Sequence, residues 1–144
     1  MKPRACLLCV ALAVLPAGCG GGRPYKVAPV SGRVLLDGKP LAYATVQFVP
    51  VAGAASENPP PSSVGLTDQD GRYELVLTDA NRTKGAVVGK HMVLINLGEE
   101  ASAHDTKPTF HKQLPDRYNR KSTLECDVPP GGRDDANFDD LTSK

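Results

Sequence analysis

Two tight-turn signals set among short runs of period-two hydrophobicity decide most of what this chain can fold into. The first run, Val30-Ser31-Gly32-Arg33-Val34-Leu35-Leu36, puts Val30, Val34 and Leu36 on one face with Gly32 between them. Asp37-Gly38 follows, and glycine accepts positive φ there at no steric cost. Beyond Lys39-Pro40, Ala44, Val46 and Phe48 share one side of the next run, while Thr45 and Gln47 share the other. That is the period of a half-buried strand. The second signal, Asp68-Gln69-Asp70-Gly71, separates 62–67 from 72–77, where Tyr73, Leu75 and Leu77 share a face. The two segments read as a hairpin.

The pattern continues down the chain. Gly89-Lys90-His91 opens a run with Val93, Ile95 and Leu97 on one face. Met92 and Leu94 make its other face apolar as well, which predicts a strand that is central or covered on both sides, with His91 at its edge. Leu124, Cys126 and Val128 alternate before the break at Pro129-Pro130-Gly131-Gly132, and 136–141 reads as a charged last edge strand. Between these runs lie a Pro-rich loop at 50–61, a polar loop at 79–86 and a long connection at 98–122. With 14 glycines, 13 prolines and no long helical periodicity, the chain reads as all-β. Two half-apolar sheets must bury their inner faces against each other. The core candidates are Phe48, Val46, Tyr73, Leu75, Val93, Ile95, Leu124 and Val128, with the Tyr118 ring under the long loop.

The N-terminus carries a different kind of signal. Lys2 and Arg4 precede an uncharged, mostly apolar run from Ala5 to Leu15, then Pro16, Ala17, Gly18 and Cys19. This is the layout of an export signal, too short for a spanning helix of about 20 residues. Ala17-Gly18-Cys19 resembles the lipobox of bacterial lipoproteins, with Pro16 standing where that family favours Leu. The resemblance implies a signal peptide at 1–18, diacylation of the Cys19 thiol, and a lipidated tether at 19–28 that includes Gly20-Gly21-Gly22. The domain then occupies 29–144. Each buried methylene contributes about 0.8 kcal/mol, so one chain binds weakly and two or three hold firmly.

Cleavage before Cys19 leaves 126 of the 144 residues, enough for one domain with a proper core. Without Lys2 and Arg4, 15 basic residues face 16 acidic ones, a net charge of −1, which argues against nucleic acid as a partner. Cys6 and Cys9 leave with the signal and Cys19 carries lipid, so Cys126 stands as a single core thiol with no disulfide partner. The string Asp68-Gln69-Asp70-Gly71 superficially matches a calcium loop, but the downstream bidentate Glu and the flanking helices are missing. Side-chain capping of turn amides is the expected role. His104, Asp105 and His111 share the long connection without a spacing that fixes them together, so no metal site, cofactor or catalytic residue is assigned.

The strings VSGRVLLDGKPLAYATVQFVP, TDQDGRYELVL and GAVVGKHMVLI resemble carboxypeptidase regulatory-like domains with a transthyretin-type or prealbumin-like fold. LPDRYNRKSTLECDV resembles the tail of small bacterial lipoproteins with that domain. The resemblance implies an antiparallel two-sheet sandwich of about seven strands and no catalytic residues of its own. Transthyretin-like hydrolases end in Tyr-Arg-Gly-Ser, whereas this sequence ends in Asp140-Leu141-Thr142-Ser143-Lys144. The expected function is therefore a non-catalytic, membrane-anchored envelope lipoprotein that binds an envelope protein, peptide or glycan, on the outer membrane by preference. The alternatives are a carbohydrate-binding module using Tyr43 or Tyr118 as a platform and, last, a transthyretin-like hydrolase.

Overall fold

A computed structural model describes residues 24–51, 59–97 and 114–144. Cys19, His104, Asp105 and His111 lie outside the described residues, as does most of the 50–61 loop. The described chain is an all-β sandwich. Its strands are β1 (Val27–Ala28), β2 (Ser31–Leu36), β3 (Lys39–Pro40), β4 (Ala44–Pro50), β5 (Ser63–Leu66) and β6 (Arg72–Glu74). They are followed by β7 (Val76–Leu77), β8 (Ala86–Val87), β9 (Gly89–Leu97), β10 (Leu124–Val128) and β11 (Phe138–Leu141), with one 3-10 turn at Asp116–Tyr118. Seven of these segments are three residues or longer.

One sheet runs β10-β9-β4-β5-β7, and the other runs β11-β2-β3 with β6 also paired to β2. A short β1-β8 pair ties the entry of the domain to the start of β9. All pairs between strands are antiparallel except β11 on β2, which is parallel. The sheets meet at Phe48, whose ring lies 6.5 Å from Tyr73 and 6.3 Å from Phe138. Every core residue named from the sequence is buried except Leu124, which packs half-buried against the cluster.

The first turn forms as its residues require. Asp37 and Gly38 both take positive φ (52° and 74°), the mirror-image turn that matches strand twist. The partner strand it produces is only the two residues of β3. The chain then swings at Tyr43, also at positive φ, and enters the other sheet as β4. Thr67 pins this crossover. Its Oγ1 donates to Leu41 O at 2.6 Å and accepts from Ala44 N–H at 2.8 Å.

The 62–77 segment corrects the simple hairpin. β5 pairs with β7, while β6 pairs with β2 in the opposite sheet. The run divides at Leu75, whose N–H reaches Val30 O at 3.0 Å. Both halves keep the same inward alternation because both sheets face one core. The second turn is capped by Asp68, whose Oδ1 accepts from the Asp70 and Arg72 amides, both at 2.9 Å.

His91 is a further correction. It is not at an edge but 1% exposed on the inner face of β9, in phase with Val93 and Ile95. β9 is central, between β10 and β4. Its other face is uncovered among the described residues, with Met92 exposed and Leu94 half-buried.

Candidate functional site

The groups with potential chemistry gather where β9, β10, β6 and the 129–136 reversal meet. His91 pairs across the ladder with Cys126 on β10 and with Pro50 on β4. Its Nδ1–H donates to Gly89 O at 2.9 Å and its ring lies 5.6 Å from Phe48. That tautomer leaves Nε2 as a buried acceptor without a hydrogen-bond partner. Burial pushes the imidazole below its ordinary range, opposed by the Gly89 bond and by Asp127.

Cys126 is a buried free thiol. Burial pushes its pKa up, and the nearby Arg133 guanidinium opposes this without reversing it. Arg133 is itself committed. Its Nε donates to Asp135 at 2.7 Å, and its Nη1 reaches Asp127 O at 3.3 Å and Cys126 Sγ at 3.8 Å. The Tyr73 hydroxyl donates to Ala136 O at 2.6 Å, and burial raises it far above the phenol range. A nucleophilic cysteine needs an exposed, lowered thiol. This one is covered and raised, so the cluster fastens the β10–β11 connection to the core.

Next to this cluster a cleft of about 500 Å³ opens between Pro29–Ser31, Glu74–Leu75, Lys84–Gly85 and Gly131–Asp134. Its floor depends on a close approach: a Cβ on Gly132 would stand 2.5 Å from Pro29 O. Its rim carries both signs of charge, with Lys84 and Glu74 paired at 4.0 Å in solvent. Such an exposed pair contributes little to stability. The cleft can offer hydrogen bonds and balanced charge to a polar segment. The sequence signal was the Pro129-Pro130-Gly131-Gly132 break, which marks the turn but not the surfaces it meets.

The two candidate sugar platforms part company. Tyr118 is buried, its hydroxyl accepts from Thr142 N–H at 3.0 Å, and Arg117 covers its ring at 4.7 Å. Burial alone would raise its pKa, but the bonds from Thr142 and Arg117 outweigh it and lower it. Arg117 also binds the Thr142 and Lys144 carbonyls, so this corner holds down the last residues and cannot stack a ligand. Tyr43 stays half-buried, with Gln69 Nε2 donating to its hydroxyl at 3.3 Å.

Among the described residues no group of three or more His, Cys, Asp or Glu is placed to hold a metal, and no helix is long and apolar enough to cross a membrane. No family model, curated protein or solved structure matches the chain.

Proposed function

We propose that this chain is a membrane-anchored envelope lipoprotein whose β-sandwich is a structural and interaction module without catalysis of its own. The observation that carries the reading is the position of Cys19, which follows a basic head, an apolar run and two small residues. The first strand begins at Val27, eight residues later. Gly20-Gly21-Gly22, between the two, has the composition of a linker. The resemblance of the strand-turn strings to carboxypeptidase regulatory-like domains supports the same role. So does the commitment of Cys126, Arg133 and Tyr73 to structural bonds. Gly20 offers no acidic retention residue after the Cys, which favours the outer membrane.

Fatty-acid labelling of cells expressing the chain, followed by mass measurement, tests the anchor. Label on the wild-type chain and its loss in Cys19→Ala, with release from the membrane fraction, are expected. An unchanged membrane fraction in the variant refutes it. Crosslinking in intact cells identifies the partners, and turnover of a small molecule by purified chain refutes the non-catalytic reading.

A further inference from the structure

A solvent-facing sheet in a sandwich ordinarily alternates apolar residues inward with polar residues outward. The large sheet breaks that rule. On its outer face the register sets Leu94, Gln47, Val64 and Val76 in one row across β9, β4, β5 and β7. Val49 and Met92 lie side by side on one flank, and Thr45 beside Leu66 on the other. Leu66 and Met92 are 51% and 38% exposed, and the Leu94–Val76 row is half-buried. No charge lies within this field. Charges stand only at its margins: Lys90, Glu125 and Asp127 beside Met92 at one side, with Lys90 and Glu125 paired at 3.1 Å, and Lys84 beside Val76 at the other, two bases against two acids. A contiguous exposed apolar patch of this kind marks an interaction surface.

We infer that this face binds a second copy of the same chain, sheet to sheet, about a two-fold axis near Gln47. This deepens the interaction-module reading by naming the partner. Three observations favour self-association over other occupants. The face carries no net charge, so two copies meet without repulsion, while a charged partner finds nothing to complement. Gln47 lies at its centre, between Leu94 and Val64. An amide carries both donor and acceptor, so two such side chains across a two-fold axis satisfy each other reciprocally. The size fits a weak pairing. The four strands that carry the field, β9, β4, β5 and β7, at about 4.8 Å spacing and about 3.3 Å rise per residue span roughly 350 Å² in projection. That is below the roughly 800 Å² each partner contributes to a standard stable interface and in the range of weak contacts. Among the described residues no aromatic side chain lies on the face, and its two bases, Lys90 and Lys84, stand at opposite margins, each beside an acid, which suits a bilayer surface poorly.

The test is disulfide crosslinking of the full chain in membranes. Gln47→Cys should give a dimer band absent from the parent chain, because a residue on the axis meets its own copy. Lys39→Cys, exposed on β3 in the opposite sheet, should give none. Adding Leu94→Lys or Val64→Lys to Gln47→Cys should reduce the dimer at least tenfold, with the thermal midpoint held within about 2 °C, as for a surface substitution. The inference is overturned by no dimer band, by an equal band from Lys39→Cys, or by a band that survives the lysines. It is overturned equally if the lysines lower the midpoint strongly, since a segment of the same chain then covers the face. It also falls if Gln47→Cys is shielded from a water-soluble maleimide only in the presence of lipid vesicles. Fatty-acid incorporation reports the anchor, and the crosslink repeated on purified Cys19→Ala chain at high concentration reports the face, so either can fail alone.

Discussion

Thr67→Val tests whether the crossover between the sheets is held by one hydroxyl. Valine has nearly the shape of threonine, so packing is conserved and the hydrogen bonds are isolated. The change removes the 2.6 Å donation to Leu41 O and the 2.8 Å acceptance from Ala44 N–H. The backbone pairs Tyr43 N–Thr67 O and Thr67 N–Ala44 O, at 3.0 and 2.8 Å, stay in place and keep the site closed to water. Ala44 and Thr67 are essentially fully buried. A buried donor that loses its partner costs about 1–3 kcal/mol, and the lost bond to the half-buried Leu41 carbonyl adds about 1. The expected loss is about 2–4 kcal/mol, a large part of the roughly 5–15 kcal/mol of a typical domain. For a domain of roughly 120 residues this lowers the thermal midpoint by about 8–16 °C. Urea titration followed by circular dichroism reads the change directly. Thr67→Ser keeps both bonds and deletes one buried methyl, for about 1 kcal/mol. A valine variant within about 0.5 kcal/mol of wild type, or a serine variant as weak as valine, refutes the reasoning.

Three further outcomes are expected. Gly32→Ala sets a Cβ 2.0 Å from Ala136 O, so the 136–141 segment must leave β2. A loss of about 3 kcal/mol with faster amide exchange along β11 is expected, and an unchanged exchange pattern there contradicts it. His91 has a native pKa below its ordinary 6.5, so its stabilising effect is complete above about pH 6.5. The effect is lost as pH falls toward the native value, by at most about 1.4 kcal/mol per pH unit. His91→Leu should flatten the decline in denaturation midpoint between about pH 6.5 and 5, and an identical slope in both proteins removes His91 from the account. Cys126 should react with a maleimide more than about tenfold slower in the native chain than in denaturant, because its thiol is covered and held protonated; equal rates would contradict its burial.

Period-two patterning made the inside and outside of each strand legible, but not the identity of its neighbours. Tyr73, Leu75 and Leu77 all point inward, as their spacing says, yet Tyr73 belongs to one sheet and Leu77 to the other. Alternation carries no trace of that switch, because both sheets bury their side chains in one core. The same pattern did contain the placement of His91, which stands two residues before Val93 and in phase with it. Its polarity suggested an edge, but a neutral imidazole with one ring nitrogen bonded to the backbone is tolerated inside. The cleft was the least legible feature. Its walls come from four segments brought together only by tertiary packing. The Asp37-Gly38 and Asp68 turns lie at the other extreme, since their chemistry is complete within five residues.

The proposed anchor and the proposed use of the apolar face bear on each other through concentration. A face of roughly 350 Å² in projection is smaller than the standard stable interface, so two copies free in water should associate weakly. An apolar field left open in a chain free in solution is also an aggregation hazard. Both difficulties shrink when the chain is held at a surface. The residues between Cys19 and Tyr25 extend at most about 3.5 Å each, which keeps the sandwich within roughly 20 Å of a lipid attached at Cys19. Confinement to that layer raises the local concentration of neighbouring copies, as a linker does for joined modules, and multiplies a weak contact without any new bond. Copies tethered in one leaflet also share an orientation about the membrane normal, so less rotational freedom is lost on pairing. A face too small to dimerise in dilute solution and uncharged enough to tolerate its own image is therefore suited to a protein that meets copies of itself in a membrane plane.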